Sequence, residues 1–355
     1  MTYHLGVLLG DDIGPEVVPV AVDAARTALE REGVTATWHD VPIGRAALDS
    51  HGSTLPDGTL ERLQALDGWI LGPIGHQAYP KVPGAINPHP ILRKHFDLFA
   101  NVRPARSYAG VDCLHRDVDL IIVRENNEGF PPDRNVVAGA GEFRPTHDVT
   151  VSVRVITTVG STKVARAAFE LARTRRGHLT SVHKDTVFKL GCGMFADACR
   201  ALAKEYPDVA YDEVLVDTFA MKLAMQPQAF DVVVTTNLFG DILSDLAAGL
   251  IGGLGLAPGL SAGPSHAMAQ ATHGSAPDIA GRGIANPTAM IVSTGMLLRW
   301  LGTRRNDARL GAAADRIDAA VEAALSDPAT RTADLGGSAS TTSMGAFVAN
   351  AISLG

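Results

Sequence analysis

Short apolar runs bounded by Gly, Pro or Asp recur along the chain: Leu5 to Leu9, Trp69 to Leu71, Leu120 to Val123 and Val232 to Thr236. Unbroken runs of this length predict buried strands. Between them lie stretches with helical spacing. Pro15 to Glu30 gathers Val17, Val20, Ala21, Ala24 and Ala28 on one face. Lys163 to Arg173, Phe195 to Lys204 and Ile317 to Leu325 behave alike. Strands alternating with helices predict an α/β fold with a largely parallel core sheet. There is no internal repeat, low-complexity tail or obvious linker, so a domain boundary must be a place where the chain crosses between lobes. No uninterrupted apolar stretch reaches about 18 residues, which argues against a spanning helix and a membrane partner. Met-Thr-Tyr-His-Leu-Gly lacks a basic segment followed by an apolar core, so no signal peptide is expected.

Composition narrows the class. The 355 residues suffice for one large domain or two ordinary ones, and 46% hydrophobic with 19% charged residues supplies a sizeable core. A net charge of −7 disfavours general attraction to nucleic acid. Cys113, Cys192 and Cys199 match no disulfide framework or CxxC metal site; reduced thiols in a cytoplasmic protein are expected. Gly191, Gly193 and Ala196 spell GxGxxA, but no clear strand directly precedes them, so a Rossmann-type cofactor loop is not expected there.

Four signals carry candidate chemistry. In Asn237-Leu-Phe-Gly-Asp241-Ile-Leu-Ser-Asp245-Leu two aspartates at i and i+4 share a helix face. Bare carboxylates that close repel, whereas Mg²⁺ or Mn²⁺ between them reverses the sign. The alternative is a solvated acidic face. Leu238, Phe239, Ile242, Leu243 and Leu246 argue for a mostly buried helix instead. Three arginines, Arg93, Arg103 and Arg124, stand in apolar or Pro-containing settings, and Arg124 ends a candidate strand, where α/β folds place ligands. Each guanidinium can grip a carboxylate through two parallel hydrogen bonds, so three suit a di- or tricarboxylate. Lys184 follows a short apolar strand in Ser181-Val-His183-Lys184-Asp185 and is a candidate base if buried. The loop from His273 to Asn286 is rich in Gly and poor in charge, so its backbone can approach a ligand closely; Asp278 in it could accept ribose hydroxyls and would repel a 2′-phosphate.

Taken in order, these segments resemble the β-decarboxylating dehydrogenases, which comprise isocitrate, homoisocitrate, 3-isopropylmalate and tartrate/D-malate enzymes. The resemblance runs nearly end to end. It covers Leu-Gly-Asp-Asp-Ile-Gly-Pro-Glu (9–16), Asp97-Leu-Phe-Ala-Asn-Val-Arg-Pro, Arg124-Glu-Asn-Asn-Glu-Gly, the Asp241/Asp245 helix, His273-Gly-Ser-Ala-Pro-Asp-Ile-Ala-Gly and Thr332-Ala-Asp-Leu-Gly-Gly. It implies a two-lobed isopropylmalate-dehydrogenase-like α/β fold that binds its nucleotide without a Rossmann motif. Residues 1–99 with 252–355 would form the nucleotide lobe, and residues 100–251 the metal, substrate and dimerisation lobe. Arg93, Arg103 and Arg124 then clamp the malate carboxylates. Asp241 and Asp245 are metal ligands from one subunit. Asp217 is a further ligand, and Lys184 the catalytic lysine, both from the other subunit of a homodimer with shared active sites. His273, Gly274, Ser275, Ala276, Asp278, Ile279 and Asn286 hold the cofactor, with Asp278 favouring NAD over NADP.

The substrate is read from Ile86-Asn87-Pro88-His89-Pro90-Ile91-Leu92-Arg93. Isopropylmalate enzymes resemble one another in an apolar wall before the first arginine; here Asn87 and His89 suit a polar or anionic group on C3. The expected reaction is therefore oxidation, with decarboxylation, of a 2-hydroxy acid of the isocitrate, homoisocitrate or tartrate type. A 3-isopropylmalate dehydrogenase is the alternative, and a catalytically impaired regulatory subunit or a metal-dependent lyase the further ones. Three positions depart from the family pattern. Asp12 replaces a glycine. Lys184-Asp-Thr replaces Lys-Ala-Asn. Pro131 stands where the family has the tyrosine that protonates the enol after CO₂ leaves, and proline has no proton to give. Asp133 is the first candidate for a substitute acid, with His147 or water as alternatives.

Overall fold

The computed structural model describes residues 2–131, 133, 136 and 139–355. In chain order the first part holds β1 (Thr2–Leu8), α1 (Gly14–Arg31), β2 (Thr35–Asp40), α2 (Gly44–His51), α3 (Thr59–Gln64), β3 (Gly68–Leu71), α4 (Pro88–His95), β4 (Ala100–Arg106) and β5 (Asp119–Glu125). The middle holds β6 (Glu142–Thr146), β7 (Val149–Ser152), α5 (Thr158–Arg173), β8 (His178–His183), α6 (Gly191–Ala203), β9 (Ala210–Leu215), α7 (Val216–Met225), β10 (Val232–Thr235) and α8 (Asn237–Leu250). The last part holds β11 (Leu260–Ala262), β12 (Ala267–Ala269), α9 (Thr288–Arg305), α10 (Ala308–Ser326) and α11 (Thr341–Leu354).

Ten strands form one sheet in the order β2-β1-β3-β12-β11-β4-β5-β10-β8-β9. Its two wings are parallel, as the fully apolar runs of β3 and β10 require when helices cover both faces. The centre is antiparallel: β12 with β11, β11 with β4, and β4 with β5. The chain crosses from wing to wing where β4 follows α4 and where β11 follows α8. The sheet therefore places the β4–β5 pair and the start of α8 side by side at its middle. A separate two-stranded hairpin, β6 with β7, has every residue exposed.

The helices bury the faces their spacing indicates. On α1, Val17, Val18, Ala21, Ala24, Ala25 and Ala28 have no exposed surface. One core gathers α1, α9, α10 and α11 with β1, a second gathers α5 and α6 over β5, β8 and β10, and a third lies under Trp69, Leu92 and Phe96. The GxGxxA string falls in α6, with residues 184–190 between it and β8, so it is not a strand–turn–helix loop. Among the described residues no helix is long and apolar enough to cross a membrane.

α8 corrects one expectation. Leu243 is buried, but Leu238 is 41% and Ile242 60% exposed. Their side chains project from the face turned away from the sheet, so the helix is only half covered within one chain.

Candidate active site

Arg93 on α4, Arg103 on β4 and Arg124 near the end of β5 are all buried, at 8%, 8% and 5% exposure. Two of them converge on α8. Arg103 donates from Nη1 to Asp241 Oδ1 (3.1 Å) and Ser244 Oγ (2.7 Å), and it lies 3.8 Å from Asp245. Arg124 donates to the same Asp241 oxygen and, through Nη2, to Asn237 Oδ1 at 2.8 Å. Asn237 in turn donates to the Glu125 carbonyl at 2.9 Å, which locks the first turn of α8 to the end of β5. Gly240 makes the approach possible, because a Cβ there would lie 2.6 Å from Arg124 Cγ. Arg103 is aimed from the antiparallel seam: its Nε donates to Asn101 Oδ1 at 2.8 Å, and Asn101 donates to Ser261 of β11 at 3.1 Å.

The arginines are poorly solvated, whereas the Asp241 and Asp245 side chains are about half exposed. Burial pulls the Arg103 guanidinium below its ordinary value, and the Asp241 and Asp245 carboxylates oppose this. Burial, with Asp241 beside it, holds the Asp245 carboxyl above the usual range against the pull of Arg103. Glu125, which no sequence signal singled out, is almost fully buried, and burial pushes its carboxyl up to about 7, although it accepts backbone N–H groups from Asn127 and Glu128.

Lys184 and Asp217 meet each other elsewhere. Lys184 follows β8 directly, Asp217 lies in the first turn of α7, and Nζ donates to Oδ1 at 2.5 Å. That bond pulls the Asp217 carboxyl below its ordinary value. No ion pair or hydrogen bond joins this pair to Asp241 or Asp245, and among the described residues no cluster of three or more His, Cys, Asp or Glu is arranged to hold a metal. One chain thus presents two separate halves: carboxylates with arginines, and lysine with carboxylate.

The segment that departs from the tyrosine pattern lies beside α8. A Cβ on Gly129 would fall 2.9 Å from Asn237 Cβ and 3.6 Å from Pro131 Cδ. Asp133 is exposed, just beyond this contact. His147 lies at the exposed tip of the β6–β7 hairpin. Asn87 caps α4, its Oδ1 accepting from His89 N–H at 3.1 Å. The His89 ring bonds to Gln270 at 2.6 Å.

The loop from 270 to 287 connects β12 to α9. His273 Nδ1 contacts the Gly274 carbonyl at 2.9 Å, and its buried Nε2 has no partner among the described residues. Burial lowers the pKa of this imidazole, which favours the neutral ring. Gly274 has open space where a Cβ would be, Ala276 holds a left-handed backbone (φ +46°), and Asp278 is exposed with Ile279 half-buried behind it. Asn286 starts α9 by accepting from Thr288 N–H and donates to Asp334 at 3.0 Å. Two anchors escaped the sequence reading. The Ser275 carbonyl accepts from Ile13 N–H at 3.2 Å, and the Glu16 carboxylate accepts from Gly281 and Gly283 N–H at 2.6 and 2.8 Å. Glu16 stands in the Gly-Pro-Glu of the 9–16 motif, so the signal was present without a role attached.

The family model for isocitrate/isopropylmalate dehydrogenase matches residues 4–348. The chain is 42% identical to a 3-isopropylmalate dehydrogenase of Archaeoglobus fulgidus over 340 residues, 94% of this chain and 95% of the relative. It is also 42% identical to an isocitrate/homoisocitrate dehydrogenase of Thermus thermophilus, covering 96% of each. The crystal structure of an isocitrate dehydrogenase from Methylococcus capsulatus superposes with a TM-score of 0.87 at 40% identity, covering 99% of both chains.

Proposed function

Since the chain belongs to the isocitrate/isopropylmalate dehydrogenase family, whose members are decarboxylating dehydrogenases acting on hydroxy acids, we propose that it oxidises and decarboxylates a malate-type 2-hydroxy di- or tricarboxylate with a polar C3 substituent. The proposed cofactors are NAD and Mg²⁺ or Mn²⁺, and the acting unit is a homodimer in the cytoplasm. The observation that carries this reading is the convergence of buried Arg103 and Arg124 on Asp241 and Asp245; Arg93, on α4, is buried as well.

The donor set fits a hard divalent cation. Asp241, Asp245 and Asp217 offer carboxylate oxygens only, and Asp241 and Asp245 stand one turn apart on α8 with their side chains about half exposed, open to a ligand. Bound there, the cation would supply positive charge to polarise the substrate's hydroxyl and carboxylate oxygens. The 273–286 loop fits a nucleotide: it has an orphaned His273 Nε2, an open Gly274 and an exposed Asp278 for ribose hydroxyls. Bound there, NAD would accept the hydride from C2.

The chain's own residues do the rest. Arg93, Arg103 and Arg124 hold the substrate carboxylates through paired N–H donors, fixing which hydrogen faces the cofactor. Lys184 from the second copy takes the hydroxyl proton, with Asp217 holding its Nζ in place. After CO₂ leaves, Asp133 returns a proton to C3. Arg103 and Arg124 are already aimed by Asn101, Ser244 and Asn237, so little reorganisation accompanies charge development.

The dimer is supported by what one chain leaves uncovered. Met221 and Met225 on α7 and Leu238 and Ile242 on α8 are exposed, as are Phe143, Val149 and Val151 on the hairpin. Such apolar surface marks an interface. The free thiols suit a reducing compartment. Relatives named for two different substrates are equally identical to the chain, so the substrate rests on Asn87 and His89: burying an isopropyl group against the Asn87 amide would cost roughly 1–3 kcal/mol. Exposed Ile86, next to Asn87, favours isopropylmalate as the second reading.

The test is NADH absorbance on mixing protein, Mn²⁺ and NAD with isocitrate, homoisocitrate, tartrate, malate and 3-isopropylmalate. Turnover is expected on a polar-substituted acid and not in excess EDTA. The highest kcat/KM on 3-isopropylmalate would overturn the substrate assignment, and full turnover with EDTA the metal.

A further inference from the structure

Asp12 stands where the family pattern has glycine, yet it keeps a glycine backbone: its φ is +50°, in the left-handed region that side chains disfavour and Asp tolerates better than most. The turn that holds it joins the parts of the nucleotide lobe. Asp11 N–H donates to the Pro73 carbonyl and Ile13 N–H to the Ser275 carbonyl, at 2.7 and 3.2 Å. The acids on either side are fully occupied. Asp11 accepts from Arg45 N–H, Gly75 N–H and the Tyr79 hydroxyl at 2.7, 2.8 and 2.6 Å, and Glu16 accepts from Gly281 and Gly283. Asp12, half-buried between them, has no hydrogen bond or ion pair among the described residues. Its Oδ2 and Ser275 Oγ lie 2.8 and 2.9 Å from the point a methyl would occupy on Gly75. The two oxygens therefore both lie close against Gly75, directly beside the 273–286 loop.

With no donor from the protein, the Asp12 carboxylate keeps its acceptor oxygens available for a donor that a ligand brings. Resting on the NAD reading above, we propose that Asp12 recognises the cofactor, its carboxylate accepting a hydrogen bond from a ribose hydroxyl or the carboxamide N–H of the bound nicotinamide nucleotide. The diphosphate is excluded as the partner by its own charge. The competing explanation is structural: an acid just before α1 opposes the positive end of the helix dipole. That role predicts a loss of thermal stability and no effect on the nucleotide.

The experiment measures NAD dissociation constants by calorimetry, and melting temperatures without nucleotide, for wild type, Asp12→Gly and Asp12→Asn. Glycine adopts the turn more easily, so Asp12→Gly should melt at or above wild type while binding NAD about fivefold or more weakly, as loss of one charge-assisted hydrogen bond implies. Asp12→Asn, which keeps an acceptor oxygen and tolerates the same backbone, should fall between. The same titrations with the 3-acetylpyridine analogue, which lacks carboxamide N–H groups, separate the donors: a loss confined to NAD assigns the carboxamide, and a loss for both assigns the ribose hydroxyl. Dissociation constants for Asp12→Gly within about twofold of wild type, with or without a drop in melting temperature, would overturn the proposal. Absence of NAD binding by the wild type would remove the proposed function itself, and this inference with it.

Discussion

Replacing Gly240 by alanine should damage substrate binding more than stability. In a helix interior the exchange is favourable by about 1 kcal/mol, because alanine loses less backbone freedom. At this position the new methyl would sit 2.6 Å from Arg124 Cγ and 2.7 Å from its Cβ, where ordinary contact begins near 3.4 Å. Arg124 or the start of α8 must give by roughly 0.8 Å. Arg124 is buried, and its guanidinium is held by Asp241 and Asn237, so the shift strains bonds on both sides. Overpacking of this kind costs about 1–3 kcal/mol, so the net loss in unfolding free energy is about 0–2 kcal/mol. The catalytic effect should be larger. An error near 1 Å in a positioned group can lower the rate about 10²-fold, and Arg124 orients Asp241 and is proposed to hold a substrate carboxylate. The assay is kcat/KM on the best acid of the panel beside urea denaturation. A folded Gly240→Ala enzyme with wild-type kcat/KM would refute the claim that Arg124 binds substrate from this position.

Three further outcomes are expected. Exposed Asp278 should favour NAD over NADP by at least about tenfold in kcat/KM, equivalent to about 1.4 kcal/mol, and Asp278→Asn should narrow the gap; equal values for wild type would refute it. Glu125 holds its proton in the folded protein up to about pH 7, against 4.5 for the free side chain, so its contribution is complete below pH 4.5 and is lost as pH rises through 7. Between pH 5 and 8 the unfolding free energy of Glu125→Gln relative to wild type should rise by roughly 3 kcal/mol, and parallel pH profiles would show that the carboxyl is ionised throughout. Asp133→Asn should slow deuterium incorporation at C3 by about 10²-fold relative to NADH formation; unchanged rates of both would pass the acid's role to water or another donor.

Legibility followed burial. The parallel strands covered on both faces, such as β3 and β10, read directly from sequence as apolar runs like Val232 to Val234, whereas the part-exposed edge strands β2 and β9 did not. The antiparallel centre did not, because β4 carries Asn101, Arg103 and Pro104, polar or ring residues present for the site and the seam rather than for a core. The exposed β6–β7 hairpin has no buried face to impose alternation. At the site, Arg103, Arg124, Asp241 and Asp245, which the structure brings together, stood out in their motifs, but Glu125 and Glu16 did not. Nor did the aiming groups Asn101, Asn237 and Ser244, since a short polar side chain in a motif does not reveal its partner. Leu238 and Ile242 misled for the opposite reason: apolar character predicted burial, but within one chain both stay exposed.

That distinction leads to the sharpest test of the divided site. Lys184 and Asp217 form one half, and Asp241, Asp245 and the arginines the other, with no bond between them in a single chain. If two copies exchange halves across a two-fold axis, Lys184→Met and Asp241→Asn should each be inactive alone, yet complement each other. Co-expressed at equal levels, half the dimers are mixed, and each mixed dimer places both lesions in one site and leaves the other whole. Activity should return to about a quarter of wild type per chain, because a symmetric dimer has two equivalent sites. Pairing Arg103→Met with Asp241→Asn supplies the control. Both lesions lie in the same half, so every mixed site is broken and nothing is regained. Were each site complete within one chain, the first pair would also stay silent, since every chain carries a lesion. Rescue in the first pair without rescue in the second can arise only if Lys184 serves the carboxylates of the other copy.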